Sequence, residues 1–138
     1  MPRTNVAPFN KYIHTDAALI APVVREAIEY LRSLKEQGAA LRVDEYYYAL
    51  SLDEALTNAV QHGNMNDAGK KVHLTIVLRR SSLDIVVTDE GDGYDPEAVP
   101  DPRRPECFFK RNGRGIHILK NVACVEWNRK GNAVTIRF

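Results

Sequence analysis

The stretch SLDEALTNAVQHG, residues 51–63, decides how this chain is read. Apolar residues in and before it, Val43, Tyr46, Leu50, Leu56 and Val60, keep near-helical spacing, which predicts a helix from about Val43 to His62 ended by Gly63. Glu54 and Asn58 stand four apart on that helix, so their side chains emerge on one face, with Ser51 and His62 one turn to either side and Tyr46, Leu50 and Val60 turned away. Burying a carboxylate beside an amide is costly unless the two bind something. An Asn oxygen together with phosphate oxygens and water is a ligand set that Mg²⁺ accepts, and a Glu one turn back can polarise a hydroxyl or a water. The same spacing also arises on an ordinary solvated helix face, so the sequence around it has to decide.

Upstream, Phe9 to Thr15 reads as a short edge strand; Pro22 suits a first helical turn, Val23 to Lys35 supplies helix formers, and Gly38 ends that helix. Downstream, Val72, Leu74, Ile76 and Leu78 alternate with His73, Thr75, Val77 and Arg79. Leu83, Ile85 and Val87 repeat the alternation after a turn at Ser81 and Ser82, which predicts a β-hairpin. From Gly91 to Gly113 the pattern gives way to a stretch rich in glycine and proline (Pro96, Pro100, Pro102, Pro105), whose length inside a small domain marks a functional loop or lid, taken as residues 94–112. A short helix from about Gly115 to Asn121 follows, then strands Val122 to Asn128 and Ala133 to Phe138 joined by a turn at Lys130-Gly131-Asn132. The expected fold is an α+β two-layer sandwich, a mostly antiparallel sheet covered on one face by helices, forming a single domain over 1–138.

Two glycine clusters carry further chemistry. Thr88-Asp89-Glu90-Gly91-Asp92-Gly93-Tyr94 stands at the end of a predicted strand. There Asp89 can accept a hydrogen bond from a ligand amine, while Gly91 and Gly93 allow close approach to a flat base or a positive φ. Its alternating acids also resemble a calcium loop, but an EF-hand requires a Glu at loop position twelve and flanking helices, and prolines follow here. Gly113-Arg114-Gly115-Ile116-His117-Ile118 opens the short helix after the long loop, where free backbone N–H groups and the helix dipole favour a phosphate. No βαβ unit surrounds it, against a dinucleotide fold, and it lacks the GxxxxGK[ST] of a Walker A loop.

Composition narrows the function classes. With 138 residues and 44% hydrophobic content the chain can build a core without disulfides or a structural metal. The formal net charge of +1, from 19 basic and 18 acidic residues mixed along the chain, gives no basic face for nucleic acid. Two cysteines, Cys107 and Cys124, make no disulfide framework and suit a reducing compartment. Its longest apolar stretch, Ala17 to Val24, is far short of the ~20 residues that span a bilayer, and the first residues lack the pattern of a signal peptide. A cytoplasmic location with no membrane association is therefore expected.

ExxxN on a helix, DxGxG after a strand, a proline-rich loop and GxG before a helix, in that order, resemble the GHKL (Bergerat) ATPase family. Residues 54–63 look like its N box, Asp89 to Gly93 like its first glycine box and Gly113 to Ile118 like its second. SLDEALTNAVQHG (51–63), NGRGIHILK (112–120) and the short length are most similar to the anti-sigma-factor serine/threonine kinases of the RsbW and SpoIIAB type. Histidine kinases usually begin the N box with Asn, where this chain has Glu54, and carry a dimerising helix pair that is not seen before it here. The resemblance implies a histidine-kinase-like ATPase fold, ATP and Mg²⁺ as cofactors, and phosphorylation of a STAS-domain anti-anti-sigma protein by a chain that also sequesters a sigma factor and can form a homodimer. A binding module that only holds ATP, or a detached histidine-kinase-like catalytic domain, is the alternative. By the same resemblance Asn58 coordinates Mg²⁺, Asp89 recognises the adenine amine, Gly91, Gly93, Gly113, Arg114 and Gly115 shape the nucleotide pocket and lid, and Glu54 acts as general base toward a Ser or Thr hydroxyl.

One departure is Gly131-Asn132-Ala133, where many relatives place a Thr near the adenine. Arg103, Arg104, Lys110 and Arg111 in the lid read first as solvated charges that could also reach phosphates, and His14 and His73 as surface or strand residues. Tyr46, Tyr47 and Tyr48 read as core and interface filling, and Cys107 as a lid residue.

Overall fold

Asp44 sets the start of the central helix: its backbone is extended and its side chain accepts the Tyr46 N–H at 2.9 Å, so helical geometry begins at Glu45. The computed structural model describes residues 6–92 and 123–138. The element order is β1 (Phe9–His14), a 3₁₀ turn (Ala17–Leu19), α1 (Ile20–Glu36), α2 (Glu45–Asn58), a π-helical turn (Ala59–Gly63), β2 (Lys71–Leu78), β3 (Leu83–Thr88), β4 (Cys124–Trp127) and β5 (Ala133–Arg137). Pro22 lies in the first turn of α1, where its missing N–H costs nothing, and Gly38 follows the helix at φ +95°.

The five strands form one antiparallel sheet in the order β1-β2-β3-β5-β4, with β1 at an edge as its sequence predicts. A period of two puts Val72, Leu74 and Ile76 of β2, Ile85 and Val87 of β3, and Val134 and Ile136 of β5 on the face that packs against the helices. Val23, Ala27, Leu31 and Leu34 of α1 and Leu52, Ala55, Leu56 and Val60 from α2 and its π turn complete a single core. This is the α+β sandwich expected from the sequence. Among the described residues no helix is long and apolar enough to cross a membrane.

Several boundaries differ from the sequence reading. The helix expected from Val43 to His62 is an α-helix only from Glu45 to Asn58 and continues as a π turn. Tyr46, assigned to the apolar side, is 61% exposed, whereas Tyr48 is buried at 3% and meets Phe138 edge-on at 4.7 Å. Two residues apart on a helix of 3.6 residues per turn, Tyr46 and Tyr48 lie on opposite faces, and it is the Tyr48 face that packs inward. β4 is shorter than expected, at Cys124–Trp127, and β5 ends at Arg137, although Phe138 still exchanges both backbone hydrogen bonds with Leu83. The helix predicted over 115–121 lies outside the described residues.

On the opposite face of the sheet, Asp84 of β3 is 2% exposed and accepts from Arg79 Nε at 2.7 Å and Arg137 Nε at 2.9 Å. Burial alone pushes its carboxyl up, but the hydrogen bonds from Arg137 and Arg79 outweigh that and hold it below the ordinary carboxylate range.

Candidate functional site

The site grows from the way α2 ends. After Asn58 the backbone passes into a π turn, closed by the i→i+5 bond from Asn64 N–H to the Ala59 carbonyl at 2.8 Å. Such a turn accommodates one extra residue and is often found at functional sites. Here it delivers Gly63 and Asn64 to the end of β3, where Asp89 and Gly91 stand.

The contact is close. A Cβ built on Gly63 would fall 2.2 Å from Asp89 Oδ2, and one on Gly91 would fall 2.0 Å from the Gly63 carbonyl oxygen. Neither glycine has a positive φ; the positive-φ glycines among the described residues are Gly38 and Gly131. Gly91 was expected to let backbone approach a base or to supply a positive φ. Its missing side chain makes room for Gly63, a residue read as a helix terminator at the end of the N-box stretch.

Asp89 is 7% exposed and held on several sides. Its Oδ1 accepts the Gly91 N–H at 2.8 Å, forming a tight Asx turn. Its N–H donates to the Asn132 carbonyl at 2.8 Å, and its own carbonyl accepts from the Asn132 amide at 3.1 Å. Asn132 is itself placed by the β4–β5 turn: Asn128 Oδ1 accepts from the Gly131, Asn132 and Ala133 N–H groups, and Gly131 takes φ +82°. The departure at Gly131-Asn132-Ala133 is thus the main-chain brace of Asp89.

Glu54 lies on α2 with 4% exposure, so the reading of this helix face as solvated does not hold at its centre. Thr57 is buried beside it in sequence and Asn58, the last α-helical residue, is half-buried. Ser51, also on this stripe, is fully buried and satisfied within the helix by donating to the Tyr48 carbonyl at 2.9 Å, while His62 is exposed. The structure therefore brings together Asp89 and Gly91 with Gly63 at the end of α2, the helix that carries Glu54 and Asn58. Gly93, Gly113, Arg114, Gly115 and the lid residues 94–112 lie outside the described residues.

The donor set suits a nucleotide with a hard cation. Asn58 offers an amide oxygen and Glu54 a carboxylate on a helix that ends beside Asp89. Among the described residues no group of three or more His, Cys, Asp and Glu is gathered as a metal cage. A magnesium ion held here would draw most of its ligands from phosphate and water, as that ion commonly does. The sequence reading missed the contact made by Gly63, the role of Asn64, and how Asn132, noted only as a departure, braces Asp89. The Gly-Asn pair directly after the helix was the available signal for the first two, since a residue without a side chain beside one with two donors and an acceptor suits a crowded junction.

The chain is 35% identical over 74 residues to an anti-sigma F factor of Shouchella clausii, covering 51% of this chain and 49% of that protein. It is 32% identical over 91 residues to the anti-sigma F factor of Oceanobacillus iheyensis, covering 60% of this chain and 61% of the relative. A third anti-sigma F factor, from Geobacillus stearothermophilus, is 34% identical over 74 residues, 51% of this chain and 49% of its own. The matched region thus spans about half to three-fifths of these relatives' length. The family described as the histidine kinase-like ATPase domain matches residues 16–138, almost the whole chain, and this chain belongs to that family.

Proposed function

We propose that the chain is an ATP-dependent serine/threonine protein kinase that acts as an anti-sigma factor, sequestering a sigma factor and phosphorylating a STAS-type anti-anti-sigma partner. The observation that carries the reading is Glu54, a carboxylate 4% exposed on the helix that ends at the Asp89 junction. A module that only holds ATP has no use for a buried carboxylate one turn before its cation ligand. Similarity to anti-sigma F factors supports the partner class.

In this reading Asp89 accepts the adenine amine, and its hydrogen bonds to Gly91 and Asn132 keep the carboxylate in place before the base arrives. Asn58 would supply one oxygen to Mg²⁺, and the ion would supply positive charge to offset that of the nucleotide phosphates. A Ser or Thr hydroxyl oxygen of the partner attacks the γ-phosphorus in line with the β–γ bridging oxygen. The new P–O bond forms as the bridging P–O bond breaks, ADP leaves, and Glu54 takes the hydroxyl proton. Gly93, Gly113, Arg114 and Gly115, which lie outside the described residues, are assigned to the nucleotide pocket and lid by the resemblance. A homodimer, no nucleic-acid contact and a cytoplasmic location belong to the same proposal.

Incubation with labelled ATP, Mg²⁺ and the STAS proteins encoded beside the gene tests it. Label on a Ser or Thr of one of them is expected. ATP binding with no label on any STAS protein would favour the nucleotide-switched binding module.

A further inference from the structure

Asn64 is fully buried and spends both of its amide hydrogens and its amide oxygen on three separate segments. Its Nδ2 donates to Thr15 Oγ1 at 2.9 Å, just after β1, and to the Lys71 carbonyl at 3.0 Å, where β2 begins. Its Oδ1 accepts the Glu90 N–H at 2.8 Å, in the middle of the Asp89-Glu90-Gly91 loop. The backbone of Asn64 is fixed as well: its N–H closes the π turn on Ala59 and its carbonyl accepts from Asp67 N–H at 3.0 Å. The next two residues, Met65 and Asn66, both take positive φ, at 51° and 58°, a costly pair for residues with side chains. The chain thus leaves the helix through an unfavourable conformation with the Asn64 amide buried in its three-way position.

We propose that Asn64 is a positioning residue for the adenine contact, acting through the Glu90 peptide on the Asp89 carboxylate; this rests on the nucleotide-site reading above. The Asp89–Glu90 peptide plane is fixed at two points. On one side the Asn132 amide grips the Asp89 carbonyl while the Asn132 carbonyl holds the preceding Asp89 N–H, and on the other Asn64 Oδ1 grips the Glu90 N–H. Releasing the second grip lets the peptide rotate. The Asx turn from Asp89 to Gly91 then loosens, and the carboxylate loses the orientation needed to tell a base presenting an amine from one presenting a carbonyl. Thr15 supports only the opposite end of the amide, and its own hydroxyl donates to the Lys70 carbonyl at 2.7 Å. Removing it loosens the β1 end of the network without freeing the Glu90 N–H.

The experiment measures ADP and GDP affinity by calorimetry and Glu90 amide hydrogen exchange by NMR, on wild type, Asn64→Ala, Asn64→Asp and Thr15→Val. Asn64→Ala is expected to lose protection at the Glu90 amide and about tenfold of the ADP-over-GDP preference, the order of one buried hydrogen bond. Asn64→Asp, which keeps an acceptor for the Glu90 N–H, is expected to retain most of that preference even if it melts lower. Thr15→Val is expected to melt lower with the preference unchanged. Wild-type selectivity in Asn64→Ala, or equal losses in all three variants, would show that Asn64 only stabilises the fold and would overturn the proposal. If Asn64→Ala does not fold, Asn64→Ser, whose hydroxyl is one bond too short to stand in for Oδ1, takes its place with the same expected losses and the same overturning result. Wild type that binds neither nucleotide would instead overturn the nucleotide-site reading, and the proposal with it.

Discussion

Gly63 and Asp89 touch so closely that a single added carbon on Gly63 would overlap the Asp89 carboxylate, 2.2 Å from Oδ2. The helix that carries Glu54 and Asn58 is thereby locked to the loop that carries the Asp89 carboxylate. Gly63→Ala is expected to push Asp89 aside, cost about 1–3 kcal/mol in urea denaturation as overpacking does, and weaken ADP binding. At Gly91 the added carbon meets backbone, 2.0 Å from the Gly63 carbonyl oxygen, which has no rotamer to escape into. Gly91→Ala should therefore be the more damaging. Gly38→Ala serves as control: its φ of +95° disfavours a side chain but nothing lies within 4 Å, so it should lower stability and leave ADP affinity alone.

Asp89→Asn tests the adenine contact with little disturbance. An Asn oxygen can still accept the Gly91 N–H, but the new NH₂ opposes an incoming amine with another donor. A ligand at a hundredfold excess over its Kd stabilises the folded state by about 2.7 kcal/mol, which is several degrees of Tm in a domain of this size. Thermal shifts with ADP and GDP should differ clearly in wild type and converge in Asp89→Asn, while the nucleotide-free Tm changes little. Equal shifts by the two nucleotides in wild type would remove the role given to Asp89.

Much of this site was legible because its chemistry is carried by short-range patterns. Glu54 and Asn58 one helical turn apart, and Asp89 at the end of an alternating strand, follow from the periods of helix and strand, and the structure keeps both elements. What escaped depends on contacts distant in sequence. The role of Gly91 is visible only once Gly63 is known to face it across 28 positions, and the three partners of Asn64 lie in three different elements. The π turn was equally hidden, because one extra residue leaves the apolar pattern of Ala59 and Val60 looking helical. Tyr46 was misplaced because three tyrosines in a row offer apolar surface on every face, and only packing shows that Tyr48 is the buried one.

Asp84 gives a pH-dependent stability on the face away from the site. Its folded-state pKa is depressed by Arg137 and Arg79, so its contribution is fully present above the unfolded carboxylate pKa and is lost as pH falls through the folded value. Asp84→Asn is expected to lower neutral-pH stability by about 1–2 kcal/mol, because the two arginines are half exposed and can turn to water. In urea melts the gap between wild type and variant should shrink as pH falls from about 5 toward 2. A gap that stays constant across that range would show that the carboxylate charge contributes nothing there.

Glu54 and Asn58 are assigned different work one turn apart, and measuring both consequences in each variant tests the account most directly. The measurement is Mg·ATP affinity alongside the rate of phosphate transfer to the STAS partner, for wild type, Glu54→Ala and Asn58→Ala. Asn58→Ala removes a cation ligand, so Mg·ATP binding itself should weaken. Glu54→Ala should bind Mg·ATP nearly as wild type while transfer falls about 10²- to 10⁴-fold, the contribution of a positioned base. A Glu54→Ala protein that transfers phosphate at the wild-type rate would contradict the kinase mechanism.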